Sequence, residues 1–358
     1  MRVAVDTNSL FTGRAGVARY TRGLLEGLRH AAPEVEFIPF AWEVENLDYR
    51  QPMRACKTFY RELVWARTVA PRRLTSASVD VYHATGSCFV SVPSPIGRVV
   101  TLHDLAILRT PQRFRPWQRR AEAMRLASLK EVDRVICISR FTANEAMELL
   151  GLPASKLEVV YNGGSFQPQT RPVPEQLPDF KVPPAFFLFV GSLEPGKNLG
   201  LLKETYALAT AQGKLLPPLL IVGARWPGVG TEGQPPAGWQ YLGHLPDAVL
   251  VHLYRRATAL VYPSKYEGFG LPVAEAMSLA CPVICSPVAS LPEVGGEAVL
   301  WSELTAAAYL RALLDISSND RLRVDLIQAG LAQASLFTWE RCARGVLEVY
   351  RHLAGQSA

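Results

Sequence analysis

The chain has 358 residues, of which 49% are hydrophobic and 20% are charged, so it is long enough for two ordinary globular domains. It contains no apolar run of about eighteen residues, which excludes a membrane-spanning helix, and its first residues lack the apolar core of a signal peptide. The net charge is +6, and residues 50–140 hold 17 Lys and Arg against 6 Asp and Glu.

Six cysteines are scattered along the chain, and most of them sit in apolar runs where a free thiol behaves as a small hydrophobe. Cys281 and Cys285 have a spacing that occurs in metal and redox pairs, but no cluster of His or further Cys accompanies them. We therefore expect reduced thiols and a cytoplasmic protein. The cysteines are Cys56, Cys88, Cys137, Cys281, Cys285 and Cys342.

The first half of the chain alternates strands with helices. A strand at Arg2–Asp6 leads through a glycine turn into a helix from Gly16 to His30, on which apolar residues recur at helical spacing. This opening resembles a Rossmann start, but it lacks GxGxxG, which argues against a classical dinucleotide site. A helix capped by Ser139 runs to Leu150. Further strands are predicted at Glu36–Phe40, Asp80–Ala84, Arg98–Leu102, Val132–Ile138 and Leu157–Tyr161.

Two basic stretches, Pro52–Pro71 and Arg109–Arg125, account for most of the local charge excess. They are interleaved with the aromatic residues Phe59, Tyr60, Trp65 and Trp117. Such a pattern suits an anionic membrane surface or a lipid-linked acceptor, while a solvated face with packed aromatics is the alternative. No recognition motif for nucleic acid accompanies the charge, so that partner is not expected.

The second half begins after a proline-rich span at residues 168–184, which reads as a linker between residues 1–167 and residues 185–338. Strand and helix patterns then alternate again, and residues 339–358 hold a final helix. Two halves of this kind predict an α/β protein with two doubly wound parallel sheets, whose ligands bind outside the carboxyl ends of the strands in the cleft between the halves. The strands are predicted at Phe186–Val190, Leu219–Val222, Trp239–Leu242, Ala259–Pro263, Val283–Cys285 and Ala298–Trp301, and the helices at 198–212, Pro246–Arg256, Thr305–Ile316, Asp320–Leu336 and Trp339–Leu353.

The stretch after the strand Ala259–Pro263 carries the clearest chemistry. A glycine turn delivers the chain to Pro272, which suits the first turn of a helix, so that unpaired backbone N–H groups face a ligand there. Glu267 and Glu275 frame the turn, and carboxylates accept hydrogen bonds from hydroxyl pairs. A nucleotide sugar offers both a diphosphate and vicinal hydroxyls, whereas the plainer interpretation is a strand–turn–helix unit with a capping acid.

The motif EGFGLPVAEAM at residues 267–277 resembles the signature of family 4 glycosyltransferases nearly letter for letter. The segments SRFT at 139–142 and VYNG at 160–163 are also typical of that family, and the resemblance covers essentially the full length. It implies a GT-B architecture of two Rossmann-like domains that face a central cleft. The donor nucleotide would lie on the C-terminal domain and the acceptor on the N-terminal one, with residues 339–358 packing back on the N-terminal domain.

The same resemblance implies a role for each matching residue. Glu275 would bind the ribose hydroxyls, and Glu267 would contact donor-sugar hydroxyls near the reacting carbon. Lys197 would neutralise the diphosphate. His103 would reach the donor sugar, and Asp104 would either orient His103 or approach the acceptor. Further donor contacts would come from the turn at Gly268, Phe269, Gly270 and Leu271 and from the loop with Gly13 and Gly16.

One departure from the family pattern concerns the diphosphate. Members usually place an arginine beside it, but Gly196 and Ser192 stand at the two corresponding places here. Loss of a charge-assisted contact to a phosphate costs about 1.5–3 kcal/mol. Arg225, which follows the strand Leu219–Val222, would compensate if its side chain reached the cleft.

The chain contains no Asp-x-Asp pair, so we expect no metal and no other cofactor. Lys197 and the helix N-terminus would then stabilise the leaving diphosphate. Because no residue is a convincing covalent nucleophile and the family retains anomeric configuration, front-side transfer is predicted.

We therefore expect a retaining hexosyltransferase similar to bacterial mannosyltransferases of O-antigen or exopolysaccharide assembly, with GDP-mannose as the favoured donor. Three alternatives stay open. They are a UDP-sugar-dependent glucosyl or N-acetylglucosaminyl transferase, a non-catalytic or weakly active nucleotide-sugar-binding protein, and a GT-B epimerase, which the central motif fits less well.

Overall fold

The computed structural model describes residues 1–12, 15–42, 60–86, 90–164, 166, 182–224, 236 and 238–355. The chain divides into two compact units, one built from Met1–Gly163 with Trp339–Ala358 and the other from Gly164–Thr338. Each unit contains a six-stranded sheet in which all paired strands are parallel. The predicted α/β class with two doubly wound parallel sheets is therefore confirmed. Most of the predicted linker, residues 168–181, lies outside the described residues.

The sheet of the first unit has the order β2-β1-β3-β4-β5-β6. Its strands are short and mainly apolar where they cross the core, as expected for buried parallel strands, but Asp6, His83 and Thr101 are also buried in them. The strands are β1 Arg2–Asp6, β2 Glu36–Phe40, β3 Val81–Ala84, β4 Gly97–Leu102, β5 Arg134–Cys137 and β6 Leu157–Val159.

The sheet of the second unit has the order β12-β11-β10-β7-β8-β9. The strands β7, β8, β10 and β11 are completely buried. The strands are β7 Phe187–Val190, β8 Leu219–Val222, β9 Gln240–Gly243, β10 Ala259–Tyr262, β11 Val283–Cys285 and β12 Leu300–Trp301.

Helices connect most of the successive strands in both units, and the described residues between β3 and β4 contain no helix. A π-helical segment, Tyr60–Val69, precedes α3, and short 3₁₀ turns occupy Pro111–Arg113, Ala154–Lys156 and Pro195–Lys197. The α-helices are α1 Asn8–Thr12, α2 Ala15–Ala31, α3 Ala70–Ser76, α4 Ala106–Arg109, α5 Pro116–Ser128, α6 Arg140–Leu150, α7 Leu199–Ala211, α8 Asp247–Arg256, α9 Leu271–Ser278, α10 Leu291–Gly295, α11 Ala306–Ser318, α12 Asp320–Ala334 and α13 Trp339–Leu353.

The last helix, α13, completes the core of the first unit. One face of the first sheet packs against α2 and α13, which bury Tyr20, Trp339 and Tyr350. Glycines let the two helices approach closely, because a Cβ on Gly27 would lie 2.6 Å from the carbonyl oxygen of Trp339. Helix α13, from the end of the sequence, thus packs against the sheet formed by the first half of the chain.

The order of the second sheet matters for function. The chain runs outward from β7 through β8 to β9 and then returns to β10 on the other side of β7. The connections after β7 and β10 therefore leave in opposite directions and open a crevice at the carboxyl ends of these two strands. In doubly wound sheets this switch point is where ligands bind.

Candidate functional site

Two loops meet at the switch point of the second sheet. One follows β7 and spans residues 191–198, and the other follows β10 and spans residues 263–270. The backbone N–H of Lys265 donates to the carbonyl of Gly196 at 2.9 Å, which ties the loops together. The first loop carries Lys197 and the second carries Glu267.

Lys197 and Glu267 form an ion pair across these loops. The ammonium Nζ of Lys197 lies 2.6 Å from Oε1 of Glu267, and the two side chains are only 16% and 10% exposed. Nζ also lies 3.3 Å from the hydroxyl of Tyr262, the last residue of β10. A positive and a negative group are thus held side by side at the mouth of the switch point.

The glycine turn after Glu267 adopts a conformation that requires glycine. Gly270 has φ +97°, and a Cβ there would lie 2.6 Å from Cδ2 of Leu291. Pro272 lies in the first turn of α9, as the sequence predicts. Gly268, Phe269 and Leu271 accompany the turn, and the first turn of any helix presents N–H groups that the helix itself leaves unpaired.

Glu275 lies further along α9 and is 3% exposed. The hydroxyl of Tyr254 donates to its Oε2 at 3.2 Å. The other buried tyrosine of the site is Tyr262, whose pKa is raised well above its usual value by burial and further by the Glu267 carboxylate. Buried tyrosines thus contact both Lys197 and Glu275.

The carboxyl ends of β7 and β8 are also close. A Cβ on Gly223 would lie 1.8 Å from the carbonyl oxygen of Gly191, so only glycine fits after β8. Ser192 follows Gly191 at this edge and is half-buried. Arg225, the predicted compensating cation, lies outside the described residues.

The predicted residues of the first unit lie at its own strand ends. His103 follows β4, and its Nε2 lies 2.7 Å from the carbonyl oxygen of Thr85. Because a carbonyl only accepts, Nε2 carries a proton. The edge of the ring meets Tyr20, with centroids 4.9 Å apart at 84°. Asp104 is exposed, and its Oδ1 accepts from the N–H of Ala106 at 2.9 Å, at the start of α4.

Gly16 is exposed near the start of α2, and a Cβ there would have nothing within 4 Å. Gly13 lies outside the described residues, as do Cys56 and Cys88. The other four cysteines are buried free thiols, and burial raises the pKa of Cys281 to about 12 and that of Cys285 above its usual value. These two are therefore inert core residues and no redox pair.

Two further observations concern the described part of the chain only. It contains no group of three or more His, Cys, Asp or Glu that could hold a metal ion. Within the same residues, none of the helices combines the length and the apolar character needed to cross a bilayer.

The sequence did not single out Tyr254 or Tyr262. Tyr262 ends a buried apolar strand and Tyr254 lies on the apolar face of α8, so both patterns predict ordinary core residues. The available signal was the hydroxyl itself, since a buried tyrosine normally finds a hydrogen-bond partner.

Comparison with known proteins agrees with this geometry. Residues 14–164 match the family model "Glycosyltransferase Family 4", and residues 175–333 match "Glycosyl transferases group 1". The O-antigen chain mannosyltransferase B of Escherichia coli is 34% identical, over 99% of this chain and 100% of that protein.

Solved structures support the fold. Sucrose-phosphate synthase from Thermosynechococcus elongatus matches with a TM-score of 0.75 at 21% identity, over 100% of both chains. Anabaena Alr3699/HepE, solved in complex with UDP and glucose, matches with a TM-score of 0.67 at 15% identity, over 98% of this chain and 100% of that one. With a family 4 match to the first unit, a group 1 match to the second and a full-length relative, the chain belongs to the family 4 glycosyltransferases of GT-B fold.

Proposed function

We propose that this glycosyltransferase transfers a hexose with retention of configuration, and that mannose from GDP-mannose is its favoured donor. The observation that carries the proposal is the Lys197–Glu267 ion pair, 2.6 Å across, at the switch point beside the start of α9. The full-length relative named for O-antigen mannosyl transfer supports the sugar. The HepE complex with UDP and glucose supports a nucleotide-sugar donor and keeps UDP-linked sugars as an alternative.

In this proposal the second unit holds the donor. Lys197 and the N–H groups around Gly268, Phe269, Gly270 and Leu271 face the diphosphate, because a cation and a helix N-terminus both favour negative charge. Glu275 accepts hydrogen bonds from the ribose hydroxyls. Glu267 accepts them from the donor sugar.

The remaining roles stay proposals as well. His103 reaches the donor sugar, and Asp104 orients it or approaches the acceptor. Gly13 and Gly16 form a loop near the diphosphate, with Ser192 and Arg225 as further donor contacts. The acceptor is a glycan or a lipid-linked glycan.

The proposed chemistry is a front-side displacement. The bond between the anomeric carbon and the diphosphate oxygen breaks while the acceptor hydroxyl approaches from the same face, and the leaving phosphate takes the hydroxyl proton. Lys197 and the N-terminus of α9 stabilise the charge that grows on the leaving group, so the reaction requires no metal ion. We expect turnover to persist in EDTA, and a loss that added Mg²⁺ restores would contradict this part.

The experiment is turnover of the purified protein with GDP-mannose and a panel of GDP-, UDP- and ADP-linked sugars, with and without a lipid-linked acceptor. NMR of the product then reports the anomeric configuration. We expect transfer from GDP-mannose with the configuration of the donor retained. An inverted product would overturn the proposed mechanism.

A second candidate function rests on Gly196, which stands where relatives usually place a diphosphate-binding arginine. Without that charge, the protein could act as a non-catalytic nucleotide-sugar-binding protein. Tight binding of a nucleotide sugar without hydrolysis or transfer, in the same donor panel, would favour this candidate over the first.

We further propose that the basic face of the first unit contacts an anionic membrane. Arg72 is exposed in α3, Tyr60 and Val64 are exposed in the preceding π-helical segment, and Arg119 and Arg120 are exposed on α5. Such cations with exposed apolar neighbours suit anionic headgroups.

Co-sedimentation with phosphatidylcholine vesicles, with and without phosphatidylglycerol, tests this contact. We expect salt-sensitive binding to the anionic vesicles that Arg72→Glu with Arg119→Glu weakens. The matched control is Arg255→Glu with Arg256→Glu, an exposed pair on α8 in the second unit. Equal binding to neutral vesicles, or equal loss in the control, would refute the proposal.

A further inference from the structure

Tyr262 is a buried side chain whose hydroxyl contacts the Lys197 ammonium of the ion pair. It is 1% exposed at the carboxyl end of β10. Its hydroxyl oxygen lies 3.3 Å from Nζ of Lys197, and Nζ lies 5.6 Å from the centroid of its ring. The lysine therefore receives a hydrogen-bond acceptor from the Tyr262 hydroxyl, and its ammonium lies beyond the hydroxyl end of the ring.

The hydroxyl of Tyr262 also interacts with the Glu267 carboxylate. Burial raises the pKa of Tyr262 well above its usual value, and the charge of Glu267 and a hydrogen bond to that carboxylate raise it further. The phenol therefore stays protonated, donates toward Glu267 and accepts from Lys197. Its backbone is held in turn, because the hydroxyl of Tyr309 donates to the Tyr262 carbonyl at 3.4 Å.

We propose that Tyr262 is a positioning residue that holds the Lys197 ammonium at the diphosphate position when Glu267 turns to the donor sugar. This inference rests on the proposed function, in which both groups bind the donor. In the structure, Glu267 is the anion that neutralises Lys197. If Glu267 binds sugar hydroxyls, Lys197 keeps its contact with Tyr262 among the described residues and gains the incoming phosphate as a partner.

The absence of an arginine at Gly196 makes this anchor more important. A lysine side chain has several rotatable bonds and loses much rotamer entropy when it is fixed. An arginine at position 196 would share the phosphate charge, but here the described loop 191–198 offers Lys197 as its basic side chain. If the Tyr262 hydroxyl already holds the ammonium in place, the Lys197 side chain loses less conformational entropy when the diphosphate binds.

The test is a double-mutant cycle on Tyr262→Phe and Lys197→Ala, read out by calorimetric binding of GDP and UDP, and of GMP and UMP as monophosphate probes. We expect Tyr262→Phe to weaken diphosphate binding about tenfold, the size of one hydrogen bond to a charged group, and to leave monophosphate binding unchanged. In the Lys197→Ala background the same change should have no further effect, because the residues act through each other.

Tyr309→Phe is the matched control. It removes another buried phenol hydroxyl next to the same strand, one that bonds to the backbone of Tyr262. We expect it to lower the melting temperature without changing the ratio of diphosphate to monophosphate affinity. If Tyr309→Phe changes that ratio as much as Tyr262→Phe does, or if both nucleotides lose affinity equally in Tyr262→Phe, the role of Tyr262 is only structural.

The cycle also separates this inference from the proposed function. If Lys197→Ala leaves GDP and UDP binding unchanged, the proposed role of Lys197 fails, and the inference fails with it. If Lys197→Ala weakens diphosphate binding but Tyr262→Phe does not, the proposed function stands and the inference alone is wrong.

Discussion

At the scale of single residues, Glu275 is the carboxylate whose proposed role can be tested most cleanly. It lies in α9, nearly buried, and accepts a hydrogen bond from Tyr254. We expect Glu275→Ala to weaken nucleotide binding, because the ribose hydroxyls lose their acceptor, while the far-ultraviolet circular dichroism stays unchanged. The measurement is a titration with GDP and UDP, and an unchanged affinity would refute the assignment. Tyr254→Phe should weaken binding less, since it removes only the group that orients the carboxylate.

A second residue, Gly223, is fixed by packing. Its φ is +147°, and a Cβ would lie 1.8 Å from the carbonyl oxygen of Gly191, so β7 and β8 would have to move apart. We expect Gly223→Ala to lower the free energy of unfolding by roughly 3 kcal/mol. Urea denaturation measures the loss.

Gly213→Ala is the control for that change, because Gly213 also has positive φ, +66°, but a Cβ there has nothing within 4 Å. Gly213→Ala should lower the free energy of unfolding by only about 1 kcal/mol, the cost of placing a Cβ on a left-handed backbone. Equal losses in the two variants would show that the contact with Gly191 does not limit the spacing of the strand ends.

Much of the site was predictable at this scale, and some of it was not. Pro272 and the glycine turn follow from local chemistry, so their placement at the start of α9 could be read from the sequence. The partner of Glu275 could not, because Tyr254 lies on another helix and its position gives only an apolar signal. Gly191 and Gly223 follow different strands, so their close approach could not be predicted from the local sequence pattern of either one.

At the scale of elements, β3 carries a buried histidine that bridges the first sheet to α13. Nε2 of His83 lies 2.7 Å from Oγ1 of Thr101, and Nδ1 lies 2.5 Å from the hydroxyl of Tyr350. Burial, together with the smaller effect of the His103 charge, lowers the pKa of His83 to about 3. The ring is therefore neutral in the folded protein at any working pH.

This histidine makes the stability of the first unit depend on pH. Between the unfolded pKa of about 6.5 and the folded value of about 3, the unfolded chain binds a proton that the folded one does not, so stability falls as pH falls. We expect His83 alone to remove about 2 kcal/mol between pH 8 and pH 5. Denaturation of the wild type and of His83→Gln across this range isolates the effect. If the two proteins lose stability in parallel, His83 is not its source.

The elements themselves were largely predictable. Buried parallel strands read as apolar runs that end at glycine or polar residues, as Leu219–Val222 does, and the structure has this strand with the same bounds. Other ends differ by one or two residues, as in β6, which was predicted to end at Tyr161 but ends at Val159 because pairing with β5 stops there. The π-helical form of Tyr60–Val69 was not predicted, since its periodicity resembles that of an α-helix.

At the scale of the whole molecule, the chain leaves the first unit at Gly163 and rejoins it at Trp339. The returning helix α13 fills a large part of one face of the first core, where Trp339, Val346, Leu347 and Tyr350 are buried. The family resemblance implies this return, whereas the pattern of Trp339–Leu353 alone predicts only an amphipathic helix.

Removal of α13 should therefore damage the first unit and spare the second. We expect a chain ending at Thr338 to lose hydrogen-exchange protection in β1, β3 and α2, while β7 and β10 keep theirs. Trp339→Ala should lower the free energy of unfolding of the first unit by about 3–5 kcal/mol, because it leaves a cavity between α2 and α13. Hydrogen exchange with mass spectrometry resolves the two units. Uniform loss in both would show that they unfold together.

The return of α13 also bears on how the polypeptide is made. At about 5–20 residues per second, a ribosome needs roughly 10–35 s to add residues 164–338 after the first sheet has emerged. Throughout that interval the sheet face that later packs against Trp339 and Tyr350 stays exposed, so we expect chaperones to bind the nascent amino-terminal half. The second unit can therefore complete its core before the first one does.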